Sequence, residues 1–188
     1  MAVTAGIPRA LLYFEEGFLW RTVLESLGAK VVFSDPTNTR ILEAGKAYSI
    51  DQNCLPVKVY LGHILDLIHK KVDCIFLPRI VSLEKGTYSC PKIIGLVDII
   101  RNSIKTDVPF VSFTINHNFE KEISFWDFAR AAGFFTKNPV KIRSAWRSMR
   151  KMDERIQRYV KKGYSYPALL KKLAGAEKTG RLRVRHGG

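Results

Sequence analysis

Two cysteines in separate parts of the chain share a local context that could support chemistry. Cys54 and Cys90 each precede an apolar, helix-like run, with a proline one or two residues later and a lysine close behind. Because proline is favoured in the first helical turn, both cysteines are predicted at helix N termini. The positive end of the helix dipole favours a thiolate there. Both positions are therefore candidates for binding a soft metal or attacking an electrophile.

The spacing of these cysteines leaves two interpretations open. They are 36 residues apart, and the sequence contains no CxxC pair, so spacing alone is a weak sign of a metal site. A lone cysteine near a helix start is more often a small buried residue. The shared context of Cys54 and Cys90 makes the two interpretations about equal. Cys74 differs, because it lies near the amino end of an apolar strand and is predicted in the core.

Other polar residues are expected near the same place. Gly6-Ile-Pro-Arg9 could offer backbone N–H groups and a guanidinium to a phosphate, although it is neither a GxGxxG fingerprint nor a P-loop. Arg79 adds positive charge after a later strand. His117 is the best acid–base candidate, whereas His63 and His69 lack a metal-binding partner four residues away and are predicted to be structural or solvated.

Strands alternate with helices through residues 1–113, which is typical of a parallel sheet with helices on both faces, a Rossmann-like α/β fold. Strands are predicted at 2–7, 29–33, 73–77 and 108–113, and helices at 11–27, 39–46, 55–71 and 93–104. Residues 79–89 are predicted to form a loop. Ligands bind such sheets at the carboxyl ends of the strands, so the two cysteines and the neighbouring loops should converge there.

The charge distribution divides the chain. The net charge is +14; residues 1–100 hold 11 basic and 10 acidic residues, and residues 101–188 hold 20 and 7. We predict an α/β domain over 1–115, a helical extension packing on it over 116–175, with a long basic helix at 140–162, and a basic tail over 176–188. The basic half could bind an acidic partner, or nucleic acid on charge alone. A solvated face, or one covered by another domain, is the interpretation we favour.

The sequence also excludes several classes of protein. No apolar run is long enough to cross a membrane, and the start of the chain has no signal-peptide pattern, so we expect a cytoplasmic protein. Three widely spaced cysteines in such a chain are not expected to form structural disulfides.

Six motifs, in this order, resemble the acyl-CoA dehydratase activase-related proteins, which are relatives of the 2-hydroxyacyl-CoA dehydratase subunits of anaerobes. The resemblance covers residues 3–115 well and the helices to about 173 loosely. The motifs are Gly-Ile-Pro-Arg-Ala-Leu-Leu-Tyr-Phe-Glu-Glu (6–16), Pro-Thr-Asn (36–38), Cys-Leu-Pro-Val-Lys (54–58), Gly-His-Ile-Leu-Asp-Leu (62–67), Ile-Phe-Leu-Pro-Arg-Ile (75–80) and Cys-Pro-Lys (90–92).

The resemblance implies a [4Fe–4S] cluster held by cysteine thiolates between two Rossmann-like domains. The cluster would take an electron from an ATP-dependent activase and pass it to a 2-hydroxyacyl-CoA for radical dehydration. Cys54 and Cys90 fall on ligand-type positions, and Cys74 falls on an ordinary apolar one. By this resemblance we expect Lys58 and Lys92 to stabilise the thiolates.

Arg9 and Arg79 are then expected to meet an acyl-CoA phosphate or a partner protein. The second α/β domain of the family is not part of this sequence, and the tail Leu182–Gly188 resembles the beginning of that domain, cut short. Two thiolates do not complete a cluster site. A partner chain, a homodimer or non-cysteine ligands would have to supply the rest. The alternative is a cofactor-free interaction module that binds an acidic partner through its basic helical half.

Overall fold

The computed structural model describes residues 2–83, 85–116, 118 and 124–165 of the chain. The described strands are β1 (Thr4–Ile7), β2 (Lys30–Phe33), β3 (Cys74–Phe76), β4 (Arg79–Ser82), β5 (Phe110–Val111) and β6 (Thr114–Asn116). The described helices are α1 (Tyr13–Ser26), α2 (Thr39–Ala47), α3 (Leu55–His69), α4 (Pro91–Ile94), α5 (Leu96–Ser103), α6 (Phe125–Ala132) and α7 (Pro139–Lys161).

The main sheet has four strands in the order β2-β1-β3-β5, and each adjacent pair is parallel. Two apolar cores lie on its opposite faces. Residues of α1, α6 and α7 build one core, and residues of α3 and α5 build the other. The prediction of a Rossmann-like parallel sheet with helices on both faces is therefore confirmed. Every strand and helix predicted up to residue 113 is present, with ends that differ by a few residues.

Two details differ from the sequence-based prediction. The helix expected over 93–104 begins earlier, at Pro91, and Gly95 divides it into α4 and α5. Residues 79–82 are not loop but strand β4, which pairs in parallel with β6. The prediction ended the strand at Pro78 because proline cannot donate a ladder hydrogen bond. The alternation of buried Ile80 and Ser82 with their half-buried neighbours is, however, a strand pattern.

The β4–β6 pair continues the ladder of β3 and β5. Phe76 pairs with Val111, and Arg79 pairs with Thr114. The register offset is therefore the same before and after residues 77 and 78, where the strand assignment is interrupted. Two backbone hydrogen bonds of 2.9 Å span this interruption: Leu77 N–H donates to the Val111 carbonyl, and Arg79 N–H donates to the Phe113 carbonyl. The two strands therefore run on past the end of β1.

The core on the α1 face contains a cluster of aromatic rings. Trp20 of α1 packs against Phe76 and Phe113 with ring centroids 5.4 Å apart, and Phe113 packs against Phe128 of α6 at 6.0 Å. Cys74 is fully buried in the same core, so its predicted core position is confirmed.

The last part of the predicted helical extension, residues 166–175, and the basic tail lie outside the described residues, as does His117. Within the described part of the chain, no helix is both long and apolar enough to span a membrane.

Helices α2 and α3 approach each other so closely that their backbones touch. A Cβ atom added to Gly62 would lie 1.9 Å from the carbonyl oxygen of Ile41, and one added to Gly45 would lie 1.9 Å from the carbonyl oxygen of Lys58. Glycine is the only residue without a Cβ, so both positions require it at this separation. The contact fixes α3, which begins directly after Cys54, against α2.

We therefore expect Gly62→Ala to destabilise the protein by at least about 2 kcal/mol, because backbone atoms cannot move aside as a flexible side chain can. Urea denaturation followed by circular dichroism measures the change. Gly95→Ala is the matched control, since its added Cβ would lie 3.4 Å from its nearest neighbour, the Pro91 carbonyl oxygen. The control should change stability by less than about 0.5 kcal/mol. Equal stability of the two variants would contradict the close contact.

The side chain of Glu16 on α1 is half-buried where α1 packs against α7. The Oε2 atom of Glu16 is buried and has no hydrogen-bond partner among the described residues. Burial raises the pKa of Glu16 to about 8, and the carboxylates of Asp153 on α7 and of Glu15 add to the shift. Glu16 is therefore mainly protonated in the folded protein at neutral pH.

This buried acid predicts a pH-dependent stability. Between its ordinary pKa of 4.5 and about 8, the folded state binds a proton that the unfolded state has released, so stability falls as pH rises through this interval. Glu16→Gln cannot ionise, and its stability advantage over the wild type should grow across the interval and then level off. Urea titrations at a series of pH values test this. Glu43→Gln, an exposed control on α2, should follow the wild-type curve; an E16Q curve parallel to the wild type would disprove the assignment.

Candidate functional site at the carboxyl edge of the sheet

The strand order places a topological switch point between β1 and β3, because the chain proceeds from β1 to β2 on one side and to β3 on the other. In open parallel sheets the crevice outside such a point is the usual ligand site. A small cavity of about 30 Å³ lies there, lined mainly by apolar residues that include Pro8, Trp20, Pro78 and Ile93. The indole N–H of Trp20 is buried without a partner in the described part of the chain.

Cys54 and Cys90 both lie at this edge. Cys54 is the N-cap residue of α3 and Cys90 the N-cap residue of α4, each with a proline in the first turn that follows. Their predicted positions at helix N termini are confirmed. Both thiols are free and exposed, whereas Cys74 is buried. The helices start here because α3 leads into β3, and α4 and α5 lead into β5, so each must begin at the carboxyl edge.

A hydrogen bond joins the two helix starts. The ammonium group of Lys92, in the first turn of α4, donates to Oδ1 of Asn53 over 3.1 Å. Asn53 directly precedes Cys54 and is itself buried, with its amide donating to Ser49 Oγ. The segments that carry the two cysteines are thus tied together, although they are far apart in the sequence.

Lys58, the lysine that follows Cys54, also makes a local hydrogen bond. The ammonium group of Lys58 donates to the backbone carbonyl of Asp51 over 3.2 Å, which closes the turn before Cys54. In the described residues both lysines therefore bond to oxygen atoms beside the cysteines. Their expected effect on the thiolates stays a prediction.

The guanidinium of Arg79 is bonded mainly to neighbouring residues of this chain. Its guanidinium donates to the carbonyl of Ile94 over 3.2 Å and pairs with the Asp98 carboxylate at 2.7 Å. These bonds anchor the α4–α5 junction on β4. Ser89 N–H also donates to the Val81 carbonyl over 2.9 Å, which lays the segment before Cys90 along β4. The expected role of Arg79 toward a phosphate remains a prediction.

Arg9 has a freer side chain. Its guanidinium carbon lies 5.9 Å from the ring centroid of Tyr13 and 5.5 Å from that of Phe33, which are cation–π distances. Its Nε atom is buried and lacks a partner among the described residues. The backbone N–H of Arg9 donates to Ser34 Oγ over 2.7 Å. Two aromatic rings thus hold this cation at the end of β1.

A buried polar network behind Arg9 was not anticipated from the sequence. His63 of α3 is fully buried, with its Nδ1 atom 2.8 Å from Ser34 Oγ and its Nε2 atom 3.0 Å from Thr37 Oγ1. Burial lowers the pKa of His63, so the ring is neutral. His63 is therefore structural and not solvated. The signal in the sequence was the pair of hydroxyl residues Ser34 and Thr37 in the segment that follows β2.

A second buried group extends this network. Burial opposes ionisation of Asp66, but hydrogen bonds from Arg40, from the Asp35 backbone N–H and from Lys70 outweigh it and lower the pKa of Asp66. The carboxylate thus joins α2, α3 and the segment after β2. Together with His63 it makes the Arg9 side of the edge rigid.

The donor set suits part of a soft-metal site. No group of three or more His, Cys, Asp or Glu side chains that could hold a metal is found among the described residues. Cys54 and Cys90 are exposed thiols, the ligand type that soft metals prefer, and their expected role as cluster ligands stays a prediction.

Thiol accessibility gives a direct test of this geometry. We expect N-ethylmaleimide to label Cys54 and Cys90 of the metal-free folded chain, because both are exposed. Cys74 should react only after unfolding, because burial raises its thiol pKa to about 12 and removes it from solvent. Peptide mapping by mass spectrometry in native buffer and in urea distinguishes the three. Labelling of Cys74 as fast as the other two in native buffer would refute the placement.

Comparison with known proteins gives the family. A family profile described as CoA enzyme activase uncharacterised domain (DUF2229) matches residues 4–181, nearly the whole chain. No curated protein and no solved structure matches the sequence significantly. The profile match confirms the resemblance to acyl-CoA dehydratase activase-related proteins. The chain belongs to this family of CoA enzyme activase domains.

Proposed function

We propose that this chain is an iron–sulfur domain of a 2-hydroxyacyl-CoA dehydratase-like system, with Cys54 and Cys90 as cluster ligands. Membership of a CoA enzyme activase family supports a role in such a system. When bound, a [4Fe–4S] cluster supplies one-electron transfer. The system would couple ATP hydrolysis in an activase to electron delivery toward an acyl-CoA.

The observation that carries the proposal is the bond between Lys92 and Asn53. It fastens the segment that bears Cys54 to the segment that bears Cys90, at an edge where both thiols are exposed. The ammonium groups of Lys58 and Lys92 both hydrogen-bond to the segment that precedes Cys54.

The remaining ligands would come from another chain. A four-thiolate site needs two more cysteines, and Cys74 is unsuited because it is fully buried within β3. A second subunit or domain of the same system, or a second copy of this chain, could supply them at the exposed edge. The chain is then one half of a shared site.

The edge also offers contacts for an acyl-CoA. The guanidinium of Arg9, held by two aromatic rings and without a side-chain partner in the described residues, is the cation best suited to a CoA phosphate. Arg79 already pairs with Asp98 and would contribute positive charge only.

Anaerobic reconstitution tests the ligand assignment. The wild-type chain, incubated with iron and sulfide and desalted, should retain both elements as a dimer in which two copies supply four thiolates, and the variants Cys54→Ala and Cys90→Ala should each lose them. Cys74→Ala is the matched control and should retain them. Iron and sulfide analysis, with mass measurement in solution, gives both the loading and the number of chains in each assembly.

Two results would reject the proposal. One is a reconstituted wild-type chain whose Cys54 and Cys90 remain fully open to alkylation. The other is equal metal retention in all three alanine variants, which would show adventitious binding. Cluster binding by a particle containing a single chain and no partner would instead contradict the shared site.

A further inference from the structure

Helix α7 has one face in the core and one face in solvent. Ala145, Met149, Met152 and Ile156 are buried against the rest of the domain. The repeat of three or four residues between them defines a single buried stripe. The opposite face is therefore a continuous exposed surface along a helix of 23 residues.

A row of cations runs along that face. Arg143, Arg147, Lys151 and Arg155 are spaced four residues apart, and we name them the basic ridge; the first three are exposed and Arg155 is half-buried. Four residues of helix correspond to about 6 Å, so the ridge is about 18 Å long. No ion pair of these four side chains is found in the described part of the chain.

Small residues border the basic ridge. Ser144 and Ser148 are exposed directly beside Arg143 and Arg147, and exposed Val140 begins the same row. Pro139, Val140 and the two serines line an open groove with the first three cations of the ridge. A ridge of long side chains next to a row of small ones is the surface on which a second helix packs.

We propose that the basic ridge docks an acidic amphipathic helix of a partner protein. A partner helix with Asp or Glu at every fourth position presents carboxylates at the same spacing of about 6 Å, so each can pair with one cation. The serine row lets the partner backbone approach, and Val140 offers an apolar contact at one end. The site is separate from the cysteines and does not depend on a cluster.

The charges of this chain do not complement the basic ridge. Residues 166–188 hold six Lys or Arg and one Glu, so they would be repelled by the ridge. A second copy offers no match either, since no described helix carries acidic residues at successive four-residue intervals. The ridge is thus complementary to an acidic helix outside residues 1–188.

Nucleic acid is the competing polyanion. Single strands are usually bound by cations together with exposed aromatic rings on which bases stack. Among the described residues between 139 and 155, the exposed large apolar side chain is Val140, while Trp146 is half-buried against Phe125. The exposed ring of Trp126 belongs to α6 and does not line the groove of the ridge. The face therefore fits carboxylates on a helix better than stacked bases.

The test uses the full chain and a fluorescent, helix-stapled peptide with glutamate at every fourth position. A control peptide has the same composition with its glutamates consecutive. Fluorescence anisotropy should show that the periodic peptide binds more tightly, and that binding weakens as salt is raised. The triple variant R143Q/R147Q/K151Q should bind it about tenfold less tightly, because three exposed ion pairs are lost.

The control variant K30Q/R101Q/K105Q removes the same charge from exposed positions elsewhere and should bind as the wild type does. Thermal unfolding should be unchanged in the ridge variant, whose three altered side chains are exposed. C54A/C90A should also bind normally, so failure here and failure of the cluster assignment are separate results.

Three results would overturn the proposal. Equal affinity for the two peptides would show that spacing does not matter. Equal weakening by the control variant would show that only net charge matters. Tighter binding of a duplex DNA of equal charge than of the periodic peptide would identify the ridge as a nucleic-acid surface.

Discussion

All strands of the main sheet run in one direction, and this constraint determines where the chemistry is located. A helix that leads into a parallel strand must start at the carboxyl edge of the sheet. The helices after Cys54 and Cys90 both lead into strands, β3 and β5, so both thiols reach the same edge without any special loop. The topology also explains why Cys74, within β3, is enclosed by the core.

The edge is held by polar contacts that cross between elements. On the cysteine side, Lys92 and Asn53 connect the starts of α3 and α4. On the Arg9 side, His63 and Asp66 bind the segment after β2 to α3. Buried polar groups are costly unless satisfied, so these networks favour one arrangement of the edge over alternatives of similar apolar packing.

The sequence predicted the order of strands and helices, the positions of Cys54 and Cys90 at helix N termini and the buried position of Cys74. Each of these depends on local patterns of a few residues. The sequence did not predict β4, because a proline usually ends a strand and we ended this one at Pro78. In the structure the chain forms a strand again after Pro78, where it pairs with β6. The Lys92–Asn53 bond joins residues 39 positions apart, and such contacts have no local signal. The same holds for His63, whose partners lie on another element.

The continuation of β3 and β5 into β4 and β6 gives the edge a definite relief. From the end of β3 at Phe76 to the end of β4 at Ser82 the chain continues for six residues, about 20 Å, and no described strand continues β1 or β2. The sheet therefore extends farther on the β3–β5 side than on the β1–β2 side. A protein surface that packs against this edge has to match that difference.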